Sequence, residues 1–286
     1  MIEAYAFLAA FTVQILAISV LHPRWFIRYV RTKATEFPAE RFAQRYPGVD
    51  YNKILERHMK LHRVLNTGIA LLGLLLLVWF FSYLQRPDWD DGPVEALLFV
   101  YFMVQMLPLL IVGFNAIRYN QLLKQLPAGK RTAVLQRRGL FDFVSPFAVF
   151  LAVLSYFLYV AYVIYIAQNP FPGFAGPLIN IAGITLVYAL EAFGVYRVLY
   201  GKKSGFETHA ARMHTIGLGV KACVYISIAV VVNSSLNFTL VLMDLQRWEP
   251  VAGSVFFIFT SLLLFMAFTL PPRQPEAEEL GASPVA

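Results

Sequence analysis

Apolar residues run along this chain in long blocks, without the two-residue alternation of half-buried strands. The blocks recur at lengths of roughly 20 residues, enough for a helix to cross a ~30 Å hydrocarbon layer. Seven spans are predicted, over 3–21, 64–84, 95–117, 146–167, 177–199, 216–242 and 251–270. Lipid offers peptide groups no hydrogen bonds, so each span must be a helix. The weakly alternating segments of a membrane barrel are absent. The expected fold is an all-α polytopic membrane helix bundle, about seven transmembrane helices forming one membrane domain over 1–272. An amphipathic helix over 51–63 leads into the second span, and the polar tail 273–286 is read as disordered.

Local signals mark several boundaries. Ser145-Pro146 reads as an N-cap followed by proline at the first helical position. Gly176-Pro177 opens the fifth span in a similar way, and Pro271-Pro272 closes the seventh. Glu3 precedes the first span and the positive charges follow it, the reverse of a cleaved signal peptide. Composition agrees with this reading: 58% of the 286 residues are hydrophobic and 14% charged. A soluble domain sits nearer half and a quarter.

Charge sets the expected threading. All of the 24 lysines and arginines except Arg86 and Arg247 fall on one side of the seven spans. By the positive-inside rule that side is cytoplasmic, so the N-terminus is expected outside and the C-terminus in the cytoplasm. Localisation is expected to be the plasma (inner) membrane, multi-pass. Trp79, Trp89 and Trp248 near outer span ends, and Trp25 near an inner one, suit interfacial aromatic belts. The net charge of +7 is accounted for by basic loops facing anionic headgroups, so the lipid bilayer is the expected partner and nucleic acid is not.

Several functions lose support. Cys223 is the single cysteine, which excludes an internal disulfide and a multi-cysteine metal site. The glycosylation patterns at Asn233 and Asn237 fall inside the sixth span and are discounted. A seven-helix retinal protein needs a lysine deep in its last helix, and 251–270 contains none. Walker A, HExxH and G-x-S-x-G patterns are missing, which leaves open whether the chain is an enzyme.

Polar side chains inside spans are expensive there and become the candidates for function. Glu191 lies ~12 Å from the inner end of span five and Lys221 ~8 Å into span six, counting 1.5 Å per residue. An antiparallel pair of spans would bring them to similar depth, as an ion pair or as a coupling carboxylate with its cation. Asn233, Ser234, Ser235, Asn237 and Thr239 ring much of span six, either gluing helices together or lining a cavity. Gln105 and Pro108 sit mid-way along span three, where proline frees a carbonyl. Tyr156, Tyr159, Tyr162 and Tyr165 make a spiral ridge suited to packing.

The stretch ERHMKLH places His58 and His62 one helical turn apart, on the apolar arc of the amphipathic helix. Two histidines at i and i+4 can ligate one metal. Missing ligands would come from His22, His209 or His214, and a bis-histidine haem would need only two rings from different helices. Interfacial seating, a metal or haem site, and a pH-sensitive or substrate-contacting role all fit the spacing. The eight-histidine pattern of membrane di-iron enzymes is absent.

Three functions remain in view. The first is a non-enzymatic protein that binds or transports a small-molecule ligand or ion through the bundle, carried by Glu191, Lys221, Gln105, Asn233, Ser234 and Asn237. The second is a membrane enzyme or electron-transfer subunit with a histidine site for a metal ion or haem. The third is a subunit or scaffold whose basic loops dock a protein partner, or a homo-oligomer.

Overall fold

The computed structural model describes residues 2–36, 50–86, 89–124, 139–201 and 209–269. The tail 273–286 and basic residues such as Arg41, Arg45, Lys130, Arg131, Lys202 and Lys203 lie outside the described residues.

Helices carry the whole described structure. The first path runs from α1 (Ile2–Gln14) through a π-helical segment (Ile15–Leu21) into α2 (His22–Glu36). Then follow α3 (Tyr51–Leu84), α4 (Asp91–Lys124), α5 (Pro146–Ile166), α6 (Pro177–Tyr200), α7 (His209–Leu242) and α8 (Glu249–Thr269). Short 3₁₀ turns, Leu140–Asp142 and Gln246–Trp248, precede α5 and α8. Among the described residues, 7 helical stretches are long and apolar enough to cross a membrane. The described residues are thus a set of helices, seven of them fit to cross a membrane, in the order expected from hydropathy.

The ends follow from sequence chemistry. Ser145 accepts a hydrogen bond from Ala148 N at 3.2 Å and caps α5, with Pro146 at its first position. Asp50 caps α3 the same way, accepting from Lys53 N at 3.0 Å. Gly176 enters α6 with φ +89°, a left-handed conformation open to glycine at no steric cost. The amphipathic segment and the second span are one continuous helix of 34 residues. At 1.5 Å per residue, α3 is about 50 Å long, so about 20 Å of it projects beyond the ~30 Å hydrocarbon layer. The wide π turn sits immediately ahead of Pro23. Proline cannot donate to the ladder, and its ring crowds the carbonyl four residues back. The His22 amide instead reaches Ala17 O, five residues back.

The chain divides into two compact units. Unit 1 comprises Met1–Val134, Asn169–Phe174 and Ala229–Leu262, and unit 2 comprises Leu135–Gln168, Ala175–Ile228 and Leu263–Ala286. In unit 1, Phe7 and Phe11 of α1 meet Phe80 of α3 edge-on, with ring centroids 5.0 and 5.1 Å apart. Phe11 also meets Tyr101 of α4 at 5.3 Å, and Phe102 stacks on Phe257 of α8 at 4.1 Å. These aromatics hold α1, α3, α4 and α8 around one core. Unit 2 has a smaller core of Val144, Ala148, Leu199, Ile216 and Val220.

Candidate functional site

One face of α3 carries His62, Asn66, Ile69 and Gly73, spaced by four, three and four residues. That spacing keeps them in a single stripe, and the stripe turns inward: His62, Asn66 and Ile69 are all buried. At 1.5 Å per residue it extends about 16 Å along the helix. The π segment and α4 pack against α3, and their polar groups point into the same seam.

Gln14 Nε2 donates to Gln105 Oε1 at 2.9 Å, and Gln105 Nε2 donates to Ser19 Oγ at 2.9 Å. Gln14 is 0% exposed and Gln105 2%. The Tyr101 hydroxyl crosses the seam and donates to Ile69 O at 3.0 Å. Gly73 makes room for it: a Cβ there would lie 2.7 Å from Tyr101 Cζ and 2.9 Å from Ile15 Cγ1. Asn66 Nδ2 bonds back to His62 O at 2.7 Å. Pro108, also buried, cannot donate to the carbonyl of Val104, so α4 carries an interrupted ladder beside Gln105.

Three buried atoms in this seam have no hydrogen-bond partner among the described residues: Gln14 Oε1, His62 Nδ1 and His62 Nε2. The His62 ring is 3% exposed and lies 4.8 Å from the ring of Phe26. The Pro108 carbonyl of α4 faces it. A buried polar group left unpaired costs roughly 1–3 kcal/mol, so three in one seam require an explanation.

The other histidines separate. His58 is half-buried, and its Nδ1 lies 2.8 Å from Ile54 O, so that ring is engaged by its own helix. His22 is buried in unit 1, with its ring 6.2 Å from that of Trp25. His209 and His214 begin α7 in unit 2, and their side chains lie outside the described residues. No group of three or more His, Cys, Asp or Glu side chains among the described residues is placed to hold a metal.

Unit 2 resolves the expected Glu191 environment differently from a simple ion pair. The Glu191 carboxyl faces the Cys223 thiol of α7, and Lys221 is exposed. Nearby, Tyr188 OH lies 3.0 Å from Ser155 Oγ, and Tyr156 OH lies 2.9 Å from Thr185 Oγ1, joining α5 to α6. In α7, Asn233, Ser234 and Asn237 are half-buried members of unit 1, and Asn237 Oδ1 is buried without a partner among the described residues.

Of the expected candidates, the structure gathers Gln105, Pro108 and His62 into one seam and leaves Glu191 and Lys221 in unit 2. Gln14, Ser19, Asn66 and Tyr101 are members that the polar census of the spans passed over. Their signal was present in the His62–Asn66–Ile69–Gly73 spacing and in the lone amide at Gln14, mid-way along the first span. Comparison with family models, curated proteins and solved structures returned no match.

Proposed function

We propose that this protein binds or passes a small polar molecule or ion through its first unit and does no covalent chemistry on it. The observation that supports this reading is the buried seam of neutral polar groups, with Gln14 Oε1 and both nitrogens of His62 left for a further partner. Lipid-embedded polar groups are costly unless they serve a pathway or glue helices. Gluing accounts for the Gln14–Gln105–Ser19 hydrogen bonds, but not for Gln14 Oε1 or for His62. The proposed setting is the plasma membrane, with the N-terminus outside and the C-terminus in the cytoplasm.

The test is flux through phospholipid vesicles containing the full chain, reading protons, ²²Na⁺, ⁸⁶Rb⁺ and glycerol in parallel. At least one should move faster than in protein-free vesicles, and Gln105→Leu should abolish the difference. Equal rates for all four, with and without protein, would sink the proposal.

A second reading rests on His22 and His62, both buried within unit 1. Histidines on two helices can hold a haem or a metal ion. An absorption spectrum and elemental analysis of the purified protein decide this directly. A colourless sample free of transition metal removes it.

A further inference from the structure

We propose that the species passed along the seam of unit 1 is the proton, relayed through water, with His62 as the group that takes it up and releases it. This rests on the reading of unit 1 as a pathway and names what the pathway carries.

Size comes first. The lining side chains Gln14, Ser19, Asn66, Gln105 and His62 are all 5% exposed or less. At its Gly73 end the seam is filled by the Tyr101 ring, which leaves no room there even for a methyl group. A seam packed this closely excludes a metabolite, and a water is the largest partner its unpaired polar atoms could take.

Charge comes second. The hydrogen-bonded side chains of the seam are amides and hydroxyls, the remaining polar group is the His62 imidazole, and no carboxylate is among them. A permanent cation lodged here would find one unpaired oxygen, Gln14 Oε1, and no carboxylate, while the amide N–H groups of Gln14 and Gln105 are donated within the seam. A proton moving between waters needs instead a series of groups that each accept and donate. Ser19 Oγ and Tyr101 OH do both, and the glutamine amides position what lies between them.

His62 supplies the one group in the series with two ring nitrogens, each able to hold or release a proton. The ring Nδ1 and Nε2 are buried, and neither is committed to a hydrogen bond. The neutral ring accepts a proton at its bare nitrogen and then loses the proton carried by the other nitrogen. It ends as the opposite neutral tautomer, one proton has crossed the ring, and no bond other than N–H is made or broken. The groups against the ring are Phe26 of α2 and the Pro108 carbonyl of α4; the carbonyl accepts from a protonated ring nitrogen and carries no proton of its own.

The chain is reconstituted at full length in vesicles loaded with pyranine, and proton entry is driven by a valinomycin–potassium diffusion potential. Wild-type protein is expected to acidify the interior faster than protein-free vesicles. His62→Gln, which keeps a polar side chain but cannot titrate, should slow the added flux about tenfold or more. Ser19→Ala, a small change that tests the relay without depending on a bulky substitution, should slow it as well. Thr185→Val in unit 2 should leave it unchanged. Thermal unfolding of each variant separates loss of relay from loss of fold. Proton flux equal to that of empty vesicles, or a folded His62→Gln protein with wild-type flux, overturns the inference. If ²²Na⁺ or ⁸⁶Rb⁺ crosses in a Gln105-dependent way and protons do not, the proton relay fails and the broader pathway reading stands. If nothing crosses, both fail.

Discussion

Gly73 is where a single hydrogen atom decides the packing of three elements. Its missing side chain lets the Tyr101 ring lie against α3 and donate to Ile69 O. Gly73→Ala should therefore destabilise the protein by about 1–3 kcal/mol, the usual cost of overpacking a core. Tyr101→Phe alone should cost about 1 kcal/mol, for one lost hydrogen bond. The two should not add, because removing the hydroxyl clears part of the space the new methyl group needs. Thermal unfolding of the two single variants and the double variant measures the coupling. Strict additivity would mean that Tyr101 does not hold this position. Asn66 and Ser19 were hard to read from the sequence at this scale. A lone Ser or Asn in an apolar span is compatible with lipid exposure, helix glue or a pathway, and only the phase of neighbouring helices tells these apart.

At the scale of elements, boundary chemistry was the most legible part. Ser145-Pro146 and Gly176-Pro177 act at a distance of one to three residues, so their meaning does not depend on the rest of the fold. Ser145→Ala should remove a cap and cost about 1 kcal/mol. The loss should appear as faster amide exchange in the first turn of α5, with the far end of the helix unaffected. The continuous run of α3 from Tyr51 to Leu84 was half visible: the amphipathic and apolar stretches were both apparent, but nothing in their composition said whether the joint was bent. The pairing of Glu191 was not legible. Depth alone suggested Lys221, but helix rotation decides which neighbour a side chain meets. It brought Cys223 to the carboxyl and left Lys221 exposed.

For the molecule as a whole, hydropathy was sufficient to count the helices long and apolar enough to cross among the described residues, because a membrane imposes a length on each one. It says nothing about how helices group. The division into two units, with α7 contributing to both, comes from tertiary contacts that single-span patterns do not encode. Threading is a matter of charge, and it makes a direct prediction. In a Cys223→Ser background the chain has no thiol, so cysteines introduced at Lys53 and Arg86 can be labelled singly. In intact cells, a membrane-impermeant maleimide should reach position 86 and not position 53. Labelling at position 53 alone would invert the proposed orientation.

The π segment has one more consequence, and it concerns phase. An α-helix advances 100° per residue, so a wide turn holding one extra residue rotates everything downstream by that angle. Residues up to Gln14 and residues from His22 onward are therefore set on different clocks, yet both present their polar members to α3 and α4. Excising a single residue, Ile18, should let the path relax to a plain α-helix with Phe7, Phe11, His22 and Phe26 all still in register, because the deletion removes the residue that the wide turn absorbs. Tryptophan fluorescence of Trp25, beside His22, should therefore stay as in the wild type. A shifted emission spectrum would mean that the segment does not hold one extra residue. In this sense the segment behaves like a leap day, one inserted unit that keeps two cycles aligned.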